Sequence, residues 1–230
     1  SHVLYVRSDA DDRLTRKRFF AAVEQIAPIR DAHLLKVDAY SLCPLRGCCL
    51  VTSYPGGQGG LMTLGDLAEQ KGGVMNPLEA HRVAAHMLGG LITLHGAGLA
   101  AGAFAAPRTM VDPHGRIVLE LPGLAWLLSG SPGERQEHVR QDVRAAAAVI
   151  WRVLTGHLYD PAAMVTAPAG WRRWFALAMD PLGGFPSAAA ALAALPTRDE
   201  LDPERDSGGR MILRRMLGRL RSAVVVKQAS

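Results

Sequence analysis

The stretch from Leu94 to Ala125, LHGAGLAAGAFAAPRTMVDPHGRIVLELPGLA, constrains the fold more than any other part of this 230-residue chain. It predicts a helix that ends at Leu94-His95 and a loop of small residues. Two strands follow, at Thr109 to Val111 and at Arg116 to Glu120, joined by a Pro-His-Gly turn. The stretch therefore predicts a β-hairpin held against a helix.

The composition predicts one folded unit, since 49% of the residues are hydrophobic and 20% are charged. Apolar runs stay shorter than the roughly 18 residues of a membrane span, and the N-terminus does not have the pattern of a secretory signal. Cys43, Cys48 and Cys49 are odd in number and lie close together. They predict ordinary buried or loop thiols in a reducing compartment, with neither a disulfide scaffold nor a zinc site.

Before the central stretch, the sequence predicts a strand at Val3 to Arg7 and an amphipathic helix at Leu14 to Ile29. A hairpin is predicted from two apolar runs, His33 to Tyr40 and Cys48 to Tyr54. The glycines at 56, 57, 59 and 60 lack the lysine of a phosphate-binding loop, so a flexible hinge is the preferred interpretation.

Further helices are predicted from caps and apolar stripes. They are Thr63 to Gln70, Pro77 to His95, Asp142 to Thr155 closed by Gly156, Trp171 to Met179, and Ser187 to Leu195. Trp126 to Gln141 is rich in glycine, proline and charge, and it predicts a surface loop. Thr197 to Gly209 predicts a linker.

In the order of these features the chain resembles the bacterial Hanks-type protein kinases. In that family a helix ends in Leu-His, a loop reads His-x-Asp-x-x-x-x-Asn, and the next hairpin carries Asp-Phe-Gly. The Asp142 to Gly156 segment and Asp180-Pro181 also match, so the resemblance covers about residues 3 to 196. It implies an α+β, protein kinase-like fold with a small N-terminal sheet-plus-helix lobe, truncated and without the Gly-rich loop, and a mainly helical C-lobe.

The catalytic groups of that family are replaced in this chain. The positions of the loop His, the catalytic Asp, the neighbouring Lys and the metal-binding Asn hold Ala101, Ala103, Ala105 and Arg108, and Asp-Phe-Gly becomes Leu121-Pro122-Gly123. Phosphoryl transfer depends on metals and cations around the phosphates. The resemblance therefore implies a pseudokinase, with no enzyme activity, cofactor or metal, that acts as a protein-interaction, scaffolding or regulatory module.

The N-terminal groups that bind nucleotide in the family are also replaced. The phosphate-binding lysine position falls at Tyr5 or Arg7, and the helix glutamate position falls at Ala22. Glu24, two residues on, points about 200° around the helix and is interpreted as a solvated glutamate.

Two residues are predicted to keep structural roles. Asp142 matches the aspartate that bonds the backbone of the catalytic loop, and His95 matches the structural histidine at the helix end. His81 and His86 share the helix of His95, but they diverge by about 140° and cannot bind one metal ion together.

Rival interpretations remain open. Arg108 could bind a phosphate without a metal, or pair with Glu120 or Asp112. An atypical kinase-like enzyme could use Arg108, Glu120 and His114. An all-α adaptor is a further alternative, and it predicts no N-terminal sheet.

The predicted domain organisation is a reduced N-lobe at 1–55, a helical C-lobe at 56–196, a linker at 197–209 and a basic amphipathic helix at 210–230. Arg210, Arg214, Arg215 and Arg219 are the candidate partner-binding residues of that helix. An acidic or phosphopeptide-binding protein is the expected partner, with an anionic membrane surface as an alternative and nucleic acid not expected. We expect a cytoplasmic domain, which could be the cytosolic part of a larger membrane-associated protein.

Overall fold

The computed structural model describes residues 2–7, 13–43, 47–102, 109–121, 123–129 and 135–201. Its first sheet has three antiparallel strands in the order β1-β3-β2: β1 (His2–Arg7), β2 (Val37–Cys43) and β3 (Gly47–Ser53). This sheet rules out the all-α alternative. Helix α1 (Arg13–Ile26) contributes Phe19 and Val23 to a cluster with the buried side chains of Val37, Cys48 and Leu50.

The predicted strand at His33 to Tyr40 is wrong in its first half. Its first residues run beside the central hairpin instead, where Leu35 N–H donates to Leu119 O and Leu119 N–H donates to His33 O, at 3.0 and 2.8 Å. The run therefore serves two sheets, because both offer backbone partners that an apolar sequence can satisfy. The strand proper begins at Val37.

The second sheet contains the predicted hairpin. Strands β5 (Thr109–Val111) and β6 (Ile117–Leu119) pair antiparallel, and a short β4 (Met62–Thr63) adds to the edge of β5. Thr63 then caps helix α2 (Leu64–Gln70): its hydroxyl accepts from Asp66 N–H, and the Asp66 carboxylate accepts from Thr63 N–H. This capping box fixes where the strand ends and the helix begins.

Helix α3 (Pro77–Gly96) forms the centre of the larger core. Asn76 caps it in a reciprocal box with Glu79, and the predicted stripe is buried, namely Val83, Met87, Leu91 and Leu94. The helix ends in a Schellman motif, in which Gly98 N–H donates to His95 O and Leu99 N–H donates to Leu94 O. Gly98 has a φ of +86°, which explains glycine at this position.

The loop predicted at Trp126 to Gln141 is wrong where the structure describes it. Helix α4 (Leu124–Ser129) occupies its start, and helix α5 (Arg135–Thr155) begins seven residues before Asp142. The charged residues that suggested a loop lie on the first turns of α5, where Glu137 pairs with Arg144. Polar residues on a solvent-facing turn are compatible with a helix that tertiary contacts stabilise. The predicted end at Gly156 is confirmed, with a φ of +77°.

The remaining helices enclose an aromatic cluster. A 3₁₀ helix (Pro161–Thr166) precedes α6 (Ala169–Ala178), α7 (Ala188–Ala193) and α8 (Arg198–Leu201). Trp151, Trp171, Trp174 and Phe175 are buried, and the ring of Phe175 contacts all three tryptophans. The linker predicted from Thr197 is wrong at its start, because Leu201 is buried in the main core and anchors α8 there.

None of the helices that the structure describes is long and apolar enough to cross a membrane. The rest of the predicted domain organisation stays a prediction. The arginines at 210, 214, 215 and 219 lie outside the described residues.

Candidate functional site

The buried carboxylate of Asp142 joins three parts of the chain. Asp142 lies on α5, and the residue is only 2% exposed. Its Oδ2 accepts from Ala101 N–H at 2.7 Å and from His95 Nε2 at 2.9 Å, and its Oδ1 accepts from Gly102 N–H at 3.0 Å. These are the backbone hydrogen bonds that the resemblance implies for Asp142. The carboxylate thereby satisfies the backbone amides of Ala101 and Gly102.

The exit of the hairpin lies against the same loop. Gly123 N–H donates to Ala101 O at 2.9 Å, so Ala101 is hydrogen-bonded through both its backbone groups. Gly123 has a φ of +87°, and a Cβ there would approach Ala100 O to 3.2 Å. Glycine is therefore required at this close approach. The two segments to which the resemblance assigns the family's catalytic groups are adjacent in this chain.

Leu121 occupies the position that the resemblance assigns to the metal-binding aspartate. Its φ is +38°, a left-handed conformation that is rare for leucine. The side chain is half-buried and packs against two apolar clusters, one around Phe19 and Val23 and one formed by Leu35, Met110 and Val118. The residue therefore makes apolar contacts between the first sheet and the hairpin, and it has no group that could coordinate a metal.

Two imidazoles hold the backbone of β6. His33 Nδ1 donates to Ile117 O at 3.0 Å, and Ile117 N–H donates to His86 Nδ1 at 3.3 Å. The rings stack with centroids 4.4 Å apart. Burial lowers the pKa of His86 to about 4, with the neighbouring His33, Arg82 and Arg116 adding to the effect and Asp112 opposing it. His86 is therefore neutral near pH 7, which suits its role as acceptor.

The three histidines of α3 contact different elements. The ring of His81 lies edge-on to Trp171, while His86 stacks on His33 and His95 bonds Asp142. Within the described ranges, no group of three His, Cys, Asp or Glu side chains is placed to hold a metal ion.

A second connection ties α5 to the loop before α7. The Arg144 guanidinium pairs with Glu137 and donates to Pro181 O at 3.3 Å, and Gln136 Nε2 donates to Pro186 O at 3.1 Å. Sequence reasoning missed these residues because it placed Glu137 in a loop. Their spacing of seven, two helical turns, would have indicated the pair.

The other candidate positions divide into two groups. Ala22, which the resemblance places at the position of the helix glutamate, is buried on α1, and Glu24 is exposed, as predicted. Asp112 pairs with Arg116 at 2.7 Å within the hairpin. The side chains of Tyr5 and Arg7, and the whole of Ala103, Ala105, Arg108 and Pro122, lie outside the described residues.

Comparisons with known proteins identify the fold. No family model matches the chain, and no curated protein does. Among solved structures, the Neurospora crassa PAN3 pseudokinase matches with a TM-score of 0.69 and 13% sequence identity, over 96% of this chain and 58% of that one. The fold is that of a protein kinase. A complex of N. crassa PAN2 (WD40-CS1) with PAN3 (pseudokinase and C-term) also matches, with a TM-score of 0.67 and 16% identity, over 96% and 59% of the two chains.

The kinase-like fold confirms the predicted fold class, with two small sheets and a mainly helical remainder. This chain spans somewhat less than three fifths of the length of the structures that it matches. At such low identity the likeness establishes the fold alone.

Proposed function

We propose that this chain is a kinase-like domain without phosphotransfer activity that serves as a protein-interaction or scaffolding module. The observation that carries the proposal is the surroundings of Leu121. The hairpin exit lies beside the loop at Ala101, as a kinase active site requires, yet an apolar side chain packs where a metal ligand would be needed. Transfer of a phosphoryl group depends on metals that neutralise the phosphate charges.

The sequence supports the same conclusion at the other positions. Ala103 and Arg108 stand where the resemblance places the catalytic aspartate and the metal-binding asparagine. Ala22 is buried at the position of the helix glutamate. A single loss could be compensated by a neighbour, but these substitutions together remove each carboxylate and amide that the resemblance assigns to magnesium binding. The specific likeness to bacterial Hanks-type kinases stays a prediction.

The interaction role rests on two observations. One of the matching structures is a complex in which a PAN3 pseudokinase binds another protein, PAN2. In the sequence, Arg210, Arg214, Arg215, Arg219 and Arg221 form a basic stretch interspersed with apolar residues, which predicts an amphipathic helix. Such a stretch suits an acidic partner protein. An anionic membrane surface would compete for the same arginines.

A thermal-shift titration of the full chain with ATP, with and without Mg²⁺, tests the proposal. Ligand that binds the folded state raises the melting temperature in proportion to the logarithm of its concentration. We expect no Mg²⁺-dependent shift at millimolar ATP and no transfer of the radiolabelled γ-phosphate. A magnesium-dependent shift would contradict the proposal, and a shift without magnesium that Arg108→Ala removes would favour metal-independent nucleotide binding.

A further inference from the structure

A groove of about 650 Å³ opens beside the hairpin, and it is lined by other residues than the site around Ala101, Leu121 and Asp142. Helix α2 forms one wall, the turn between β5 and β6 forms the other, and the Gly57–Gly60 turn lies at one end. Gly57 and Gly60 hydrogen-bond each other through their backbones at 3.1 and 3.2 Å, so backbone atoms of glycine line this end. The volume is within the usual range of ligand-binding pockets. We call it the hairpin groove.

The hairpin groove is acidic. Asp66, Glu69 and Asp112 line it, and no lysine or arginine is among the described residues that line it. Hydrogen bonds from the backbone and hydroxyl of Thr63 lower the pKa of Asp66. Burial opposes ionisation of Asp112, but hydrogen bonds from Arg116 and His114 lower its pKa overall. Asp66 and Asp112 are therefore ionised near neutral pH, and of the two Arg116 pairs only with Asp112.

The same groove presents apolar surface. Leu61 is 47% exposed, and Leu67 and Val111 also line the groove. A cavity that combines carboxylates with aliphatic side chains favours a ligand that carries both guanidinium groups and apolar residues. An anionic or purely polar ligand would not match it.

The chain itself contains a segment with that chemistry. Residues 210–221, RMILRRMLGRLR, carry five arginines alternating with Met, Ile and Leu. Only the short stretch 202–209 separates Leu201, the last described residue, from Arg210. This stretch can span at most about 30 Å when extended.

Helix α8 contacts helix α3. The backbone carbonyl of Pro196, just before α8, accepts from His81 on the second turn of α3. On the preceding turn of α3, Glu79 pairs with Lys71, which directly follows the groove residue Gln70. The first turns of α3 thus contact both the segment before α8 and the residue next to the groove lining, and a helix is only about 10 Å across.

We propose that the arginine-rich segment 210–221 of this chain docks in the hairpin groove, with its guanidinium groups on the carboxylates and its aliphatic residues against Leu61 and Leu67. The proposal rests on the proposed function, since it makes the groove an internal site that holds the partner-binding arginines until an acidic partner competes for them. The occupant is favoured by charge complementarity and by the short tether.

Trypsin digestion of the native full chain tests this docking, because trypsin cleaves after each arginine of the segment and cleavage tracks the undocked population. The cleavage rate within 210–221 is followed by mass spectrometry in the parent, in Glu69→Lys and in Leu61→Ser. Glu24→Lys is the matched control, since Glu24 is likewise an exposed helical glutamate. We expect about fivefold faster cleavage in Glu69→Lys, a smaller increase in Leu61→Ser, and the parent rate in Glu24→Lys.

Two results would overturn the proposal. Equal cleavage rates in the parent, Glu69→Lys and Leu61→Ser would mean that the segment does not occupy the groove. Protection that disappears on dilution would mean that the occupant is the segment of a second copy. Either result leaves the nucleotide titration untouched, and a magnesium-dependent ATP shift would not change the digestion pattern, so the two proposals fail independently.

Discussion

The two hydrogen-bonded sides of Ala101 differ in what they have kept. On one side, its N–H donates to Asp142, which matches the aspartate that the resemblance implies there. On the other side, its carbonyl accepts from Gly123, two residues after Leu121, the position to which the resemblance assigns a metal-binding aspartate. The first side has a carboxylate and the second has an aliphatic side chain.

The difference teaches which carboxylates a fold needs. Asp142 satisfies two buried backbone amides and a histidine, so its removal would leave donors unpaired in the interior. A metal-binding aspartate would satisfy an ion rather than groups of the protein. Leu121, at the position that the resemblance assigns to it, packs against two apolar clusters instead. Function and stability thus place separate demands on the two positions.

The largest effect is expected from Asp142→Ala. Truncation leaves the amides of Ala101 and Gly102 without their acceptor, and we expect a loss of about 3–5 kcal/mol in the free energy of unfolding. Urea denaturation followed by circular dichroism measures it. Glu24→Ala, an exposed helical carboxylate, is the control and should change stability by less than about 0.5 kcal/mol. A loss in Asp142→Ala no larger than that of the control would break the comparison.

A smaller effect is expected from a change of pH at His86, one of the two imidazoles that hydrogen-bond the backbone of Ile117. Because the folded-state pKa of His86 is lowered to about 4 from 6.5, the neutral ring contributes stability above pH 6.5 that is lost as the pH falls from 6.5 towards 4. Partial exposure of the ring limits the loss to about 1–2 kcal/mol. Urea midpoints at pH 7.5 and pH 5 measure it.

His86→Gln is the control for the pH effect. A glutamine oxygen can accept from Ile117 N–H, but it does not titrate, so the variant should lose less stability between the two pH values. An unchanged pH dependence would show that other groups produce it. Carboxylates with lowered pKa values, such as Glu79 and Asp180, contribute stability that the protein loses mainly below their ordinary pKa values near 4. They therefore contribute little to the change in the free energy of unfolding above pH 5.

Local signals predict most of the helices. Helix α3 is recognisable because Asn76, Pro77 and a stripe of apolar residues all mark it within one stretch. The same holds for the Thr63 cap of α2 and for the hairpin around residues 112–115. These features depend on neighbouring residues, and the sequence displays them directly.

The missed features depend on distant partners. Strand β4 is two residues long and exists only because β5, almost fifty residues later, offers its edge. The hydrogen bonds of His33 and His86 to the backbone of Ile117 join residues that share no local sequence pattern. Leu201 is a single buried apolar residue among polar neighbours, so the sequence around it has the pattern of a linker. Within the site, Asp142 is predicted through a family pattern, and no spacing argument alone would have identified it.

The smallest effect is expected from Leu121→Asp, which returns a carboxylate to the hairpin exit. Aspartate tolerates a positive φ better than leucine, and this relief offsets part of the cost of removing the apolar side chain, so stability should change by only about 1 kcal/mol. Magnesium-dependent ATP binding should not appear, because one carboxylate without partners at Ala103 and Arg108 cannot complete the metal site. The thermal-shift titration measures both quantities, with Leu121→Asn as the uncharged variant of the same shape. A magnesium-dependent shift in Leu121→Asp alone would mean that a single substitution restores nucleotide binding. The rest of the metal site would then be intact, and the packing of Leu121 would not be the reason that the parent fails to bind magnesium.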